Sequence, residues 1–212
     1  MVFAIYKTKG PTSNDIVQSI KKVTGQKVGH AGTLDPLASG VLVIGIGREA
    51  TKKLAEITSK EKEYIAEIEL GQTSSTDDAE GIKTTITSHA QLLLSDIKKT
   101  ITKFIGSISQ TPPIYSAIKI NGKEAYKYAR AGKTVEMKPR PAEVKTIEII
   151  DYKWPVLKIK VVTGPGVYIR ALARDIGNEL GTGGYLLSLE RTRVGEFTKD
   201  KSISLEQFLK IK

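Results

Sequence analysis

A short glycine-rich segment, residues 29–40, brings together residue types that can do acid–base or nucleophilic chemistry. It holds three glycines and Pro36, together with His30, one of only two histidines in the chain, and Asp35. It lies between a predicted helix and a predicted buried strand, where loops often carry functional groups. Asp35 offers a carboxylate that can act as a nucleophile or a general base. An Asp-Pro pair also begins ordinary turns, so the density of glycines is what favours function here.

A catalytic carboxylate needs a cation to orient it, and the best candidate is Arg170. On the helix predicted over 168–180, apolar residues form one face, and Arg170 and Arg174 lie one turn apart off that face. Two solvated arginines would have the same spacing, so both interpretations stay open.

Two other patterns compete with this interpretation. Residues 45–50 match the G-x-G-x-x-A dinucleotide fingerprint, with Glu67 about 20 residues further on. Glu67 falls in the middle of a predicted strand, and the repeated βα units of that fold are missing, so we rank dinucleotide binding as the weaker alternative. We expect no metal site, because His30 and His89 belong to no ligand cluster and Asp77 and Asp78 lack calcium-loop spacing.

The charge balance favours a polyanionic partner. Lys and Arg number 33 against 23 Asp and Glu, which gives a net charge of +10. Residues 119–145 are rich in Lys and Arg, with Tyr126 and Tyr128 among them and Tyr115 just before. This pattern is typical of nucleic-acid binding. A solvated helix face with tyrosines in the core would show the same pattern. The absence of cysteine excludes disulfides. With no long apolar run and no signal peptide, we expect a soluble, cytoplasmic protein.

The elements that position these residues follow from caps and periodicity. We predict helices over 13–24, from Ser88 onward, over 122–131, over 168–180 and from Ser204 onward. The first begins with a capping box of Thr12 and Asp15, and the second begins at Ser88 and Gln91. The apolar residues predicted to point inward from the second helix are Leu92, Leu93, Ile97, Ile101 and Phe104. We predict strands over 41–46, 63–70, 146–152 and 157–163, and a long loop over 72–87. Because strands and helices mix without a βα rhythm, an α+β fold with a mixed sheet is expected.

Taken in chain order, six motifs closely resemble the TruB family of RNA pseudouridine synthases. They lie at residues 7–15, 29–42, 62–64, 76–81, 112–119 and 166–170. The resemblance implies the pseudouridine synthase catalytic fold, α+β with a mixed, mostly antiparallel sheet flanked by helices and loops. We expect residues 1–212 to form this single catalytic domain, without the C-terminal PUA-type domain of many members. Thr8 departs from the proline usual in the first motif.

The resemblance also implies a reaction and its residues. The family isomerises uridine to pseudouridine by flipping the base out of the RNA and rearranging its C1′ glycosidic bond, without cofactor or metal, most often at uridine 55 of the tRNA T-loop. We expect tRNA as the partner, a monomer and no obligate protein partner. By this resemblance, Asp35 corresponds to the catalytic aspartate and Arg170 to the arginine paired with it. Tyr64 resembles the tyrosine that stacks on the uracil and helps remove its C5 proton, and His30 resembles the histidine that packs into the RNA loop. Leu187 resembles an apolar residue under the base, and the remaining positions, which resemble pocket or RNA-contact residues, are Lys7, Lys62, Asp78 and Lys119.

Two questions stay open at this point. Asp35 could attack the sugar, attack the base ring, or remove the C2′ proton. The competing class of function is an RNA-binding or chaperone module on the same fold without turnover.

Overall fold

The computed structural model describes residues 1–87 and 92–211. The chain divides into two compact units. The first unit contains Met1–Ile65, Lys160–Pro165 and Ser188–Lys212, and the second contains Ala66–Ile159 and Gly166–Leu187. Within the described residues, no helix is long and apolar enough to cross a membrane.

The strands are β1 (Val2–Lys7), β2 (Val28–His30), β3 (Ala38–Ile46), β4 (Lys62–Leu70), β5 (Gln72–Ser74), β6 (Lys83–Thr85), β7 (Gly106–Gln110), β8 (Lys119–Ile120), β9 (Lys123–Glu124), β10 (Arg140–Lys153), β11 (Val156–Thr163), β12 (Gly184–Val194), β13 (Phe197–Thr198) and β14 (Ile203–Ser204). The α-helices are α1 (Ser13–Thr24), α2 (Arg48–Ser59), α3 (Leu94–Thr102), α4 (Ala125–Arg130), α5 (Ile169–Glu179) and α6 (Leu205–Ile211). A single 3₁₀ turn covers Lys199–Lys201.

In the first unit the sheet has the strand order β14-β1-β3-β12-β4-β11, with β2 also on β3 and β13 on β12. Strand β3 is antiparallel to β1 and β2 but parallel to β12, so the sheet is mixed. Both faces of β3 are covered: Leu42 and Ile44 pack among the residues of α1 and α6, while Val41 and Val43 pack with α2. The predicted central strand and the predicted α+β class are therefore confirmed.

Helix α1 begins and ends where its sequence predicts. The backbone amide of Asp15 donates to the Thr12 hydroxyl at 3.1 Å, and the Thr12 amide donates to the Asp15 carboxylate at 2.8 Å. Gly25 ends the helix with φ of +66°, where its amide reaches the Lys21 carbonyl. This left-handed conformation suits glycine, which has no Cβ to collide with the carbonyl.

In the second unit the strand order is β4-β11-β10-β7. The alternation predicted for β4 and β11 is confirmed, since every second residue of each strand is buried. Strand β10 pairs antiparallel with β7, with Arg140 opposite Gln110. Helix α3 packs on β10 and on α5. The mostly antiparallel pairing predicted for the sheet is confirmed.

Two predicted segments are wrong in part because hairpins were overlooked. The predicted loop over 72–87 contains the β5–β6 hairpin, whose polar threonines give no apolar alternation to detect. The predicted helix over 122–131 starts only at Ala125, because Asn121 and Gly122 take positive φ angles of 50° and 80° and turn β8 into β9. An Asn-Gly pair is a strong hairpin signal, and here it outweighs helix periodicity.

The helix predicted from Ser88 and Gln91 starts on residues that lie outside the described ranges. The described helix α3 begins at Leu94, and the Leu93 amide donates to the Asp96 carboxylate at 3.1 Å. Ile97 and Ile101 point inward as predicted, whereas Leu93 is 60% exposed. Leu93 precedes the first helical turn, so helical spacing does not fix its direction.

The dinucleotide fingerprint at residues 45–50 does mark a strand-to-helix junction, between β3 and α2. In the first unit, however, β12 lies between β3 and β4, the strand that follows α2. In a dinucleotide-binding βαβ motif, the strands before and after the helix, here β3 and β4, are parallel neighbours. The match is therefore a coincidence of glycine spacing.

Candidate active site

The loop that carries Asp35 is fixed to helix α1 through one buried hydroxyl. Ser13, the first residue of α1, is 1% exposed. Its Oγ accepts from the Leu34 amide at 2.8 Å and donates to the Leu34 carbonyl at 2.9 Å. A second contact joins the Gly10 amide to the Pro36 carbonyl at 2.9 Å. The residues on both sides of Asp35 are therefore held in place.

The end of this loop is set by a close approach of two backbones. Gly40 on β3 pairs with Arg191 on the parallel strand β12. Gly40 has a φ of +112°, and a Cβ placed there would come within 2.1 Å of the Arg191 carbonyl oxygen. Only glycine satisfies both the angle and the distance. The third glycine of the loop is thus a requirement of the β3–β12 pairing.

Arg191 is a buried cation of the first unit, with 1% of its surface exposed. Its Nε donates to the Val41 carbonyl at 2.8 Å and its Nη2 to the Gly32 carbonyl at 2.9 Å. Burial lowers the pKa of Arg191, and the side chains of Tyr64 and Asp35 counter that fall, Tyr64 also through a hydrogen bond. A buried guanidinium keeps its charge when such partners surround it.

Two lysines of the same unit also turn their ammonium groups inward. Lys7 is fully buried, and its Nζ donates to the Ala38 carbonyl at 2.7 Å and the Thr8 carbonyl at 2.9 Å. Burial lowers the pKa of Lys7, and the charge of Asp35 raises it. Lys62 donates to the carbonyls of Thr58 and Lys60, both at 2.7 Å, near the end of α2. Burial lowers its pKa to about 8.

Tyr64 and His30 complete this group, which we call the Asp35 cluster: Lys7, His30, Asp35, Lys62, Tyr64 and Arg191. Tyr64 lies on β4, is 6% exposed, and its side chain raises the pKa of Arg191. His30 ends β2, opposite Ile44 of β3. Burial lowers the pKa of His30, and its buried Nδ1 atom has no hydrogen-bond partner. Around one half-buried carboxylate, the cluster gathers a phenol and three cations.

Arg170 belongs to a second group, the Arg170 cluster, formed in the second unit by Asp77, Asp78, Tyr115, Arg170 and Arg174. Arg170 is 6% exposed, which contradicts the interpretation as a solvated arginine. It donates to the Asp78 carboxylate at 3.4 Å and to the Tyr115 carbonyl at 2.7 Å. One turn later Arg174 donates to Asp77 at 2.7 Å. Two neighbouring aspartates thus bind two arginines that share one face of α5.

The start of α5 is held by two hydrogen bonds from one side chain to the backbone. The amide group of Gln110, at the end of β7, donates to the Tyr168 carbonyl at 3.1 Å and accepts from the Tyr168 amide at 2.9 Å. Tyr168 immediately precedes the first residue of α5. Both polar atoms of the Gln110 side chain are therefore used to hold the backbone two residues before Arg170.

Two of the remaining predicted residues lie on strands of the second unit, and Asp78 lies between β5 and β6. Leu187 is half-buried on β12, and Lys119 is exposed on the β8–β9 hairpin. Asp78 is 3% exposed, accepts from the Glu80 amide at 3.0 Å, and bridges to Leu186. In residues 1–87 and 92–211, no three His, Cys, Asp or Glu side chains gather as a metal site would require.

Arg191 is a member of the cluster that the sequence motifs do not predict. It lies in the polar run Glu190, Arg191, Thr192 and Arg193, which looks like the surface of a strand. One signal was available: with period-two spacing, Arg191 shares a strand face with Leu187 and Leu189. A charge on an otherwise apolar strand face indicates a buried partner.

Comparisons with known proteins identify the family of the chain. The family model described as TruB family pseudouridylate synthase (N terminal domain) matches residues 20–169, and the model of the tRNA pseudouridylate synthase B C-terminal domain matches residues 170–212. A tRNA pseudouridine synthase B from Parabacteroides distasonis is 43% identical over 203 residues, covering 92% of this chain and 86% of that protein. One from Francisella philomiragia is 44% identical over 207 residues, covering 97% and 68%.

A solved structure agrees as well. A chain in the crystal structure of a Cbf5-Nop10-Gar1 complex superposes with a TM-score of 0.76 at 30% identity. The match covers 99% of this chain and 53% of that one, so this chain spans about half of the solved protein. The two family models together match residues 20–212, and the chain therefore belongs to the TruB family of pseudouridylate synthases.

Proposed function

We propose that this protein converts uridine to pseudouridine at position 55 in the T-loop of tRNA, with Asp35 as the catalytic carboxylate. The observation that carries the proposal is the Asp35 cluster: one carboxylate on a doubly anchored loop, within the electrostatic reach of Lys7 and Arg191. Neighbouring positive charge favours the ionised carboxylate that the reaction needs. The family membership and the tRNA pseudouridine synthases among the relatives supply the reaction and the substrate class.

The reaction moves no atoms between molecules. The bond from N1 of the uracil to C1′ breaks, the base turns, and C5 bonds to C1′. The proton then leaves C5, and N1 takes up a proton. Asp35, as an anion held by its loop, could serve as the nucleophile at the sugar or at the base, or as the base at C2′. Lys7 is near enough to stabilise the charged form in each case.

The uridine must leave its stack before any of these groups can reach it. Extruding a nucleotide costs a few kcal/mol. Stacking against an aromatic ring returns about 1–3 kcal/mol, and we assign that role to Tyr64. His30 is proposed to fill the space left in the RNA loop; as its pKa is lowered by burial, it does so as the neutral imidazole near pH 7. Leu187 is proposed to lie under the base.

The other assignments follow the family motifs. Arg170 is proposed as the arginine that pairs with the catalytic aspartate. Its buried contacts with Asp78 and Tyr115 hold the guanidinium in place within the second unit. Lys62 and Lys7 act inside the protein, through backbone carbonyls. Lys119, which is exposed, contacts the RNA backbone.

The test is release of tritium from tRNA labelled at C5 of uridine, with the purified chain alone and with a transcript that carries cytidine at position 55 as substrate control. We expect release from the uridine transcript only, and no added protein, cofactor or metal is needed. Asp35→Asn removes the charge but keeps the shape, and we expect it to abolish release while tRNA binding persists. Asp151→Asn, on the exposed part of β10, is the matched control and keeps full turnover.

Two outcomes would contradict the proposal. If the protein binds tRNA tightly and the wild type releases no tritium, it is an RNA-binding module. If Asp35→Asn retains most of the turnover, Asp35 is not the catalytic group.

A further inference from the structure

We propose that Arg191 is a positioning residue that aligns the Asp35 loop with Tyr64 for the isomerisation. This inference rests on the proposed function and adds a residue to it. It starts from the position of Arg191 on β12, where Arg191 contacts both ends of residues 32–40.

Its backbone and its side chain hold opposite ends of the loop. The backbone pairs with Gly40, while Nη2 reaches back to the Gly32 carbonyl at 2.9 Å and Nη1 lies 3.5 Å from the Thr33 carbonyl. Nε donates to the Val41 carbonyl at 2.8 Å. The segment that carries Asp35 is therefore closed by a single residue, and its ends cannot move apart without breaking these bonds.

The same guanidinium reaches the second candidate catalytic group. It lies close enough to the side chains of Tyr64 and Asp35 for both to raise its pKa. Because Arg191 has only donors, a hydrogen bond between the two side chains is accepted by the oxygen of Tyr64. One rigid, planar group that binds the loop of Asp35 is thus placed beside the Tyr64 hydroxyl.

The planar fork of arginine is essential to this arrangement. Lysine keeps the charge but presents three donors from one point, so it cannot span the Val41 carbonyl, the Gly32 carbonyl and Tyr64 together. A misplacement of about 1 Å in a catalytic group costs on the order of 100-fold in rate. We therefore expect Arg191→Lys to lower the single-turnover rate constant at saturating enzyme by about 10–100-fold, with the Kd for tRNA within about twofold.

The matched control is Arg193→Lys, the same substitution two residues along β12. Arg193 forms an ion pair with Glu61 at 2.7 Å and lies outside the Asp35 cluster. We expect its turnover to stay within about twofold of wild type. A plateau rate under single-turnover conditions does not depend on the folded fraction, so a purely structural role for Arg191 would leave it unchanged.

A double-mutant cycle with Tyr64→Phe separates positioning from general damage. If Arg191 acts partly through the Tyr64 hydroxyl, Arg191→Lys costs at least about threefold less in the Tyr64→Phe background than in the wild type. If the fold-loss in rate of the double variant equals the product of the two single fold-losses, the link to Tyr64 is overturned. An Arg191→Lys variant with a wild-type plateau rate would overturn the whole inference, while wild-type protein without turnover would overturn only the proposed function on which it rests.

A measurement that leaves position 191 unchanged guards against a variant that does not fold. The Arg191 guanidinium protons, followed by NMR in the wild type and in Tyr64→Phe, should exchange slowly in the wild type and shift when the phenol oxygen is removed. An identical signal in both proteins would show that the bond is not made and would overturn the inference.

Discussion

Replacing Ser13 with alanine tests how firmly the Asp35 loop is held. The substitution removes one buried oxygen that serves both the amide and the carbonyl of Leu34, at 2.8 and 2.9 Å. Each buried backbone group left without a partner costs about 1–3 kcal/mol. Alanine is the better helix former, but that gain is at most about 0.5 kcal/mol. We therefore expect the free energy of unfolding to fall by about 2–4 kcal/mol.

Urea denaturation followed by circular dichroism measures this loss directly. For a chain of this length, each kcal/mol lowers Tm by about 2–4 °C, so thermal unfolding should shift by about 5–15 °C. The control is Ser59→Ala at the exposed end of α2, where the hydroxyl donates only to the Glu56 carbonyl. It should cost less than about 0.5 kcal/mol. A Ser13→Ala loss as small as that of the control would refute the argument that this hydroxyl anchors the loop.

Two further predictions concern the same unit. Gly40→Ala places a Cβ 2.1 Å from the Arg191 carbonyl oxygen, so we expect the free energy of unfolding, measured by urea denaturation, to fall by more than about 3 kcal/mol. Gly10 has a nearly identical φ of +111° but open space around it, so Gly10→Ala should cost only about 1–2 kcal/mol. Equal losses would contradict the steric reasoning. The pKa of Lys62 falls from 10.5 to about 8 on folding, so between these pH values Lys62 is protonated in the unfolded chain and largely neutral in the folded protein. Deprotonation of the unfolded chain therefore removes its advantage, and we expect the contribution of Lys62 to the free energy of unfolding to increase as the pH rises from about 8 to 10.5. Lys62→Met should lack this gain in a series of denaturation curves, and a parallel pH profile for both proteins would contradict it.

Local signals in the sequence were sufficient for much of the fold. The capping box of Thr12 and Asp15 and the alternation in β4 depend only on neighbours along the chain, and both are confirmed. The hairpins at 72–85 and 119–124 were missed for different reasons. The first has no apolar alternation, and in the second the Asn-Gly turn was overlooked within a helical pattern.

The candidate site divides in the same way. Asp35 and His30 stand out because glycines crowd around them in sequence, which marks a loop under steric demand. Arg191 does not, because its partners are backbone carbonyls of Gly32 and Val41, more than a hundred residues away, and a carbonyl has no sequence signature. Long-range bonds to the main chain are the part of a site that composition and spacing leave unseen.

The paired hydrogen bonds of Gln110 carry a consequence for protein engineering. Glutamate at this position would lose the donor, and asparagine would fall short by about 1.5 Å, one carbon–carbon bond. Strand β7 and helix α5 are therefore a matched set, joined by one amide across 58 positions of sequence. A chimera that imports β7 from a relative will hold α5 and Arg170 in register only if glutamine ends that strand, whereas any residue other than proline at position 168 can supply the backbone amide and carbonyl.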